Sequence, residues 1–278
     1  MRHAVSADRQ AIEAFLARHS DIAMFPLSNL ALHGMAGGND RAMRFWLAED
    51  ADGITDVLSM SEEGMVMPVC PTGALQGVRQ ALAGLPLIGV VGQADQARPV
   101  ITALRLADRP TTLDHDEPHL AVNLADMVVP DGPGELVPTA DAPQGMILDW
   151  IYDYDTKALN VAPDIARQRG PVTYGRLMAS GQHRVLMAGD RPLAMTGFNA
   201  FLPQIVQIGG VYTPPDLRNR GHARRAVALH LVEAKARGVQ RAVLFASSPA
   251  AIRAYEAIGF QRIGRWTLCL FAGKEVPA

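Results

Sequence analysis

Two hydrophobic periodicities alternate along the 278 residues. Near the start, Ile12, Phe15, Leu16 and His19 fall on one face of a helix, with Ser6 as the residue suited to cap it. The stretch from Gly34 to Arg44 follows neither pattern. Beyond it, Phe45-Trp46-Leu47 and Ile54-Thr55-Asp56-Val57-Leu58 read as strands around the turn Glu49-Asp50-Ala51-Asp52-Gly53. Met65 to Val69 is a third strand. Gly73 to Leu82 reads as a helix that Gly84 ends, and Leu85 to Val91 as a short buried strand. A helix over Gln93 to Leu106 carries Pro99 as its weak point, and a polar connection then leads to a strand from Leu120 to Val129.

Asp131-Gly132-Pro133-Gly134 interrupts this order, which places an expected domain boundary between 130 and 131. The order then restarts. Glu135-Leu136-Val137, closed by Pro138, is a strand, and Gln144 to Leu159 is helical. Arg184 to Ala188 and Leu193 to Phe201 form a hairpin about Gly189-Asp190-Arg191. Ile205 to Thr213 is the next strand. The helix from Gly221 to Ala236 buries Ala223, Val227, Leu231 and Ala234 and stops at Gly238. A buried strand at Arg241 to Ala246, a helix at Pro249 to Ile258 and a last strand at Ile263 to Phe271 complete the chain. Both halves run strands, helix, strand, helix, strand, which predicts two similar domains, one of them eroded.

Composition narrows the possibilities. Apolar residues make up 49% and charged residues 19%, the balance of a globular chain with aliphatic cores. The net charge of −2 gives no general affinity for nucleic acid. With no apolar run long enough for a bilayer and no signal core at Met1 to Ser6, a cytoplasmic protein without a membrane partner is expected. Cys70 and Cys269 are far apart and outside any Cys-x-x-Cys, so a disulfide framework and a zinc site are both disfavoured. His115-Asp116-Glu117-Pro118-His119 has two histidines four apart, but Pro118 breaks the helix that would align them. It reads as a polar linker, and no metal is expected.

The chemistry concentrates in Val211-Tyr212-Thr213-Pro214-Pro215-Asp216-Leu217-Arg218-Asn219-Arg220-Gly221-His222-Ala223. A pyrophosphate needs several donors that converge without side chains in the way. A helix N-terminus offers unpaired N–H groups and the positive end of its dipole, and a glycine lets the backbone approach closely. Arg218, Arg220, Arg224 and Arg225 add positive charge, directly after a strand and directly before an amphipathic helix.

Through these residues the sequence resembles the GNAT superfamily of N-acetyltransferases. Arg218, Gly221 and Ala223 match the signature Arg/Gln-x-x-Gly-x-Gly/Ala. Ala251-Ile252-Arg253-Ala254-Tyr255-Glu256-Ala257-Ile258-Gly259-Phe260 looks like the family's Ala-x-x-x-Tyr-x-x-x-Gly-Phe segment. The resemblance is strongest from Leu186 to Phe271, extends back to Gly134, and before that is one of organisation only. It implies an α/β (α+β) fold with a mixed, mostly antiparallel twisted sheet flanked by helices, in two tandem copies. It also implies acetyl-CoA as cosubstrate, with transfer of its acetyl group directly to an amine.

By the same resemblance Val211 and Thr213, with Tyr212 between them, offer their backbone to the amides of pantetheine. Arg218, Asn219, Arg220, Gly221, His222, Ala223 and Arg224 form the pyrophosphate loop. Ala251 and Ser248 line the cofactor, Ser248 standing where many relatives have an asparagine. Tyr255 would protonate the departing thiolate, a role that suits a phenol still protonated at neutral pH.

The first half has no such loop at Cys70-Pro71-Thr72-Gly73-Ala74-Leu75-Gln76-Gly77, so it is not expected to bind the cofactor in the usual way. Leu193 to Asn199 carries no carboxylate, and Asn199 can hold a water but cannot act as a base. The general base is therefore unassigned. Plainer readings stand beside several residues: Arg224, Arg225 and Arg253 as a solvated basic face, His222 as a ring turned to solvent, and Asp149, Asp153 and Asp155 as the wet side of a helix. The competing functions are a non-catalytic acyl-CoA sensor or scaffold and an acyltransferase using a longer-chain or aminoacyl donor. The acceptor, a small molecule or peptide amine, has no motif of its own, and a homodimer is neither required nor excluded.

Overall fold

The computed structural model describes residues 1–157 and 159–277. The chain divides into two compact units, Met1–His119 with Gly264–Ala278, and Leu120–Ile263. The division therefore falls earlier than the boundary expected at 130/131, and the last strand returns to the first unit. Asp131 to Gly134 is a turn inside the second unit. Arg225 fixes that turn by donating to the carbonyls of Pro130, Pro133 and Gly134 at 2.6, 3.1 and 3.2 Å.

In the first unit β1 (Arg2–His3), β2 (Met43–Asp50), β3 (Gly53–Ser61) and β4 (Met65–Val69) are antiparallel neighbours. β5 (Leu87–Gln93) joins β4 in parallel, and the C-terminal strand β12 (Gln261–Glu275) pairs antiparallel with β5. The helices α1 (Arg9–Arg18) and α2 (Ser20–His33) cover one face. α3 (Val78–Leu82) and α4 (Ala94–Ala103) cover the other. Ile12, Phe15 and Leu16 are buried as their spacing predicts. The cap is not Ser6, which lies in a 3-10 turn (Ser6–Asp8): Asp8 stands at the cap position of α1, and its carboxylate accepts from Val5 N–H at 2.7 Å. α2 escaped the sequence reading because it is apolar on most sides and contains Pro26. The helix expected from Gly73 shrinks to α3, because Gly77 adopts a left-handed conformation just before it.

The expected polar linker at 115–119 is instead strand, part of β6 (Thr111–Asn123). Its polar residues are paired rather than solvated. Asp116 accepts from Arg98 and from the Thr267 hydroxyl at 2.7 Å, and buried His119 meets Trp266 edge-on. The strand ends at Asn123, short of the expected Val129.

In the second unit the strand order is β6, β11 (Arg241–Phe245), β10 (Ile205–Tyr212), β9 (Arg191–Phe201), β8 (His183–Ala188), β7 (Glu135–Pro138). All neighbours from β7 to β10 are antiparallel, whereas β10 and β11 are parallel. One face packs on α7 (His222–Ala236) through Val227, Ala228 and Leu231. The other packs on α5 (Gln144–Lys157) through Ile147, Trp150 and Ile151. The helix expected to reach Leu159 is described to Lys157, and residue 158 lies outside the described residues. α6 (Pro163–Ser180) had no readable stripe, because only Ala166 and Gly170 on it are buried.

Each unit thus contains three antiparallel strands followed, after a helix, by a parallel neighbour: β2, β3, β4 with β5, and β8, β9, β10 with β11. That is the tandem organisation, and most of its strand pairs are antiparallel. Among the described residues no helix is long and apolar enough to cross a membrane.

Removing the Arg225 guanidinium leaves three backbone acceptors without their donor. Arg225→Ala is expected to lower unfolding stability by about 1–3 kcal/mol. Urea unfolding with an unchanged slope and a lower midpoint is the expected reading, and an unmoved midpoint would show that the 130–134 turn holds without this clamp.

Candidate active site

The register of β10 with β11 runs from Ile205↔Arg241 to Ile208↔Leu244 and then stops. β10 continues to Tyr212, bending away through an irregularity between Gly209 and Tyr212. Beyond Ile208 the backbone edge of β10 that would face β11 is therefore left without a strand partner. Backbone donors and acceptors in such a place need a ligand or water to satisfy them. Val211 and Thr213 lie on this stretch. Tyr212 turns its side chain to α5, stacking near Trp150 at 5.4 Å and donating its hydroxyl to Asp153 at 2.7 Å. Only its backbone remains for a ligand.

The chain leaves β10 through Thr213 and a short turn at Pro215–Leu217, whose Leu217 is buried. Arg218 donates to the Thr213 carbonyl at 3.0 Å, closing the loop on itself. Asn219 (φ 63°) and Gly221 (φ 82°) are both left-handed, and Gly221 is the N-cap residue of α7. A glycine suits this conformation and leaves the first N–H groups of α7 open to a ligand. A Cβ there would sit 3.2 Å from Arg224 Nε, since Arg224 folds back beneath the loop. Arg224 Nε and Thr213 Oγ1 are buried without a hydrogen-bond partner. Two donors of this kind, flanking a helix N-terminus, fit an anion with several oxygens.

The remaining loop residues divide. Asn219 and Arg220 are exposed, and Ala223 is half-buried. His222, expected to face solvent, is buried at 8% exposure. Burial first, then Arg220 and Arg191, holds its pKa below the usual imidazole value. Arg225 directs three donations to the carbonyls of the 130–134 turn. Arg253 is exposed.

α8 (Pro249–Glu256) carries the tyrosine. Ser248 is its N-cap, with Oγ accepting from Ala251 N at 3.2 Å. Ser248 and Ala251 therefore satisfy each other. Tyr255 is buried among Val227, Ile252 and Phe260. Burial, and then the nearby phenol of Tyr154, push its pKa well above the ordinary value. The hydroxyl therefore keeps its proton throughout the neutral range, the state a proton donor needs.

α5 does not present a wet row of carboxylates. Asp149 is exposed, Asp153 pairs with Tyr212 and Lys157, and Asp155 is buried on the same stripe as Ile147, Trp150 and Ile151. Desolvation raises the pKa of Asp155, opposed by Arg169.

In the first unit the equivalent parting of strands is filled from within. β4 and β5 pair only at Met65↔Gly89 and Val66↔Val90, but Gln96 of α4 accepts from Cys70 N at 2.7 Å, and Pro68 packs against Gly92. The adjoining α3 has five residues, against fifteen in α7. Cys70 is buried, with its pKa pushed up to about 12, which leaves the thiol inert.

Comparison with known proteins bears on the second unit directly. A profile described as "Acetyltransferase (GNAT) family" matches residues 147–260. Among solved structures, a GCN5-related N-acetyltransferase from Kribbella flavida aligns with a TM-score of 0.56 at 17% identity, covering 94% of this chain and 95% of that one. A GCN5-related N-acetyltransferase from Sphaerobacter thermophilus aligns at 0.56 and 16%, covering 100% and 97%. An acetyltransferase of the GNAT family from Colwellia psychrerythraea aligns at 0.53 and 10%, covering 97% and 98%. At these identities the likeness is one of fold, and it extends over both units. No curated protein matches the chain significantly.

The Ser248 cap gives a test of the local geometry. Ser248→Ala is expected to cost about 1 kcal/mol through loss of the cap. Thermal unfolding should show a lower midpoint, and an unchanged midpoint would free the hydroxyl for a ligand role.

Proposed function

We propose, from the match of residues 147–260 to the acetyltransferase (GNAT) family, that the chain moves the acetyl group of acetyl-CoA directly to an amine. The observation that carries this reading is the parting of β10 from β11 after Ile208, which ends at a helix N-terminus containing left-handed Gly221. A thioester at the parting and a pyrophosphate at the helix are the two ends of one elongated ligand.

Each residue then has a defined task. The open edge of β10 at Val211 and Thr213 pairs with the pantetheine amides. The N–H groups following Gly221, with Arg224 and Thr213 Oγ1 beside them, receive the pyrophosphate, and exposed Asn219 and Arg220 add polar and positive groups at its rim. His222 and Ala223 form the first turn beneath it. Ala251 and Ser248 act by fixing the start of α8, which sets the position of Tyr255. The substrate supplies an activated acyl carbon and a thiolate leaving group. Tyr255, neutral at working pH, donates its proton to that sulfur as the C–S bond breaks. Backbone N–H groups of the β10 bend are suited to stabilise the carbonyl oxygen as charge develops on it.

We assign catalysis to the second unit alone, because Gln96 and Pro68 fill the corresponding place in the first. The two free, buried cysteines suit a reducing, cytoplasmic setting.

Titration calorimetry with acetyl-CoA is expected to show one site per chain, with binding abolished in Gly221→Trp, whose side chain would occupy the loop. Wild-type protein without measurable binding would remove the proposal. With any amine that the wild type acetylates, Tyr255→Phe should reduce kcat by roughly 10²-fold while leaving acetyl-CoA affinity unchanged. An unchanged kcat would exclude Tyr255 as the proton donor.

A further inference from the structure

Three glycines make room for the side chains of His183 and Asn199 on the second sheet. Gly197 of β9 is the register partner of His183 on β8 and of Gly209 on β10, so these residues form one row across three strands. Gly210 follows at the bend of β10, with φ 61°. Any side chain on Gly197 would collide with the His183 ring, and any on Gly209 would collide with the Asn199 amide. The His183 ring therefore lies over Gly197. Its Nε2 and Cδ2 edge faces Gly210, at 3.4 and 3.7 Å from where a Cβ would be. Asn199 is exposed and Gly209 and Gly210 are half-buried, at the bend beyond the last β10–β11 pair.

The hydrogen bonds around Ser180 favour one tautomer of His183. Ser180 Oγ donates to the Leu177 carbonyl at 2.8 Å and accepts from Gln182 N at 3.2 Å. Its proton is thus committed, and toward His183 Nδ1, at 3.5 Å, it can only accept. Nδ1 is then the protonated nitrogen, and the lone pair is on Nε2. Nε2 has no hydrogen-bond partner among the described residues, although His183 is only 6% exposed. Burial first, and then Arg184, lower its pKa to about 4, so the imidazole is neutral at neutral pH.

We propose that the acceptor amine docks beside the Gly209–Gly210 bend and that His183 Nε2 takes its proton, filling the role of general base. This rests on the acetyltransfer reading and adds to it the residue that the carboxylate-free β9 could not supply. The acceptor enters as the free amine. Its nitrogen forms the C–N bond to the acetyl carbon, the nitrogen loses one proton to Nε2, the C–S bond breaks, and the sulfur takes the Tyr255 proton. The products are an amide and a thiol. One proton returned through solvent from the imidazolium to the phenolate restores the protein. A weakly basic imidazole suffices here, because a nitrogen already bonded to the acetyl carbon is far more acidic than a free ammonium. Exposed Asn199, beside Gly209, offers the amine a hydrogen-bonding neighbour.

The test uses the full chain labelled with 15N-histidine, observed by long-range proton–nitrogen correlation at neutral pH. The His183 signals are assigned through their contacts with Gly197 and checked against His183→Asn. The expected result is a protonated Nδ1 and a bare Nε2 whose resonance moves on saturation with acetyl-CoA and moves less with coenzyme A, which lacks the acetyl group. Calorimetry on the same sample establishes saturation. A proton found on Nε2, or an Nε2 signal unmoved by acetyl-CoA that calorimetry shows to be bound, would overturn the assignment of His183 alone. Failure of acetyl-CoA to bind at all would overturn the acetyltransfer reading, and this inference with it.

Discussion

The parting of two parallel strands is the constraint on which the rest of the second unit depends. A parallel pair satisfies its backbone along its whole length only if both strands stay in register. β10 and β11 do so for four residues and then separate. Unpaired N–H and C=O groups are costly away from water, so the separation persists only if something else occupies it. The bend at Gly209–Tyr212 directs β10 outward, and α7 begins where the loop returns. The open strand edge and the helix N-terminus lie at the two ends of the short loop 213–221. The first unit shows the alternative outcome. There Gln96 reaches the backbone N–H at Cys70, and Pro68 packs on Gly92, so the fold closes its own wedge with side chains.

This difference distinguishes two units that share one order of strands. In the second unit the loop keeps a left-handed glycine, buried donors without partners and a fifteen-residue helix behind it. In the first, a five-residue helix has too few aligned peptides to match that field. The first unit nonetheless has a hydrophobic core on each face of its sheet.

Much of this was legible from the residues. The strands of the second unit, α7 with its buried face, and the Arg218-to-Ala223 loop follow from period, turn chemistry and the glycine position. What could not be read has physical causes. α2 is apolar on most sides with Pro26 inside, and α6 is exposed on most sides, so neither offers a stripe. Charge suggested solvent at 115–119, where Arg98 and Thr267 instead bring Asp116 into a strand. The partners of Arg225 are ninety or more residues distant in sequence. His183 had no motif around it. Its meaning comes from three glycines on two other strands and from a serine whose proton is already committed.

Hydrogen exchange of the backbone amides, with and without saturating acetyl-CoA, tests the central claim most directly. Protection confined to residues 209–224, with no change over 65–78, is the result this account predicts. Protection at 65–78, or none at 209–224 when the ligand is bound, would contradict it.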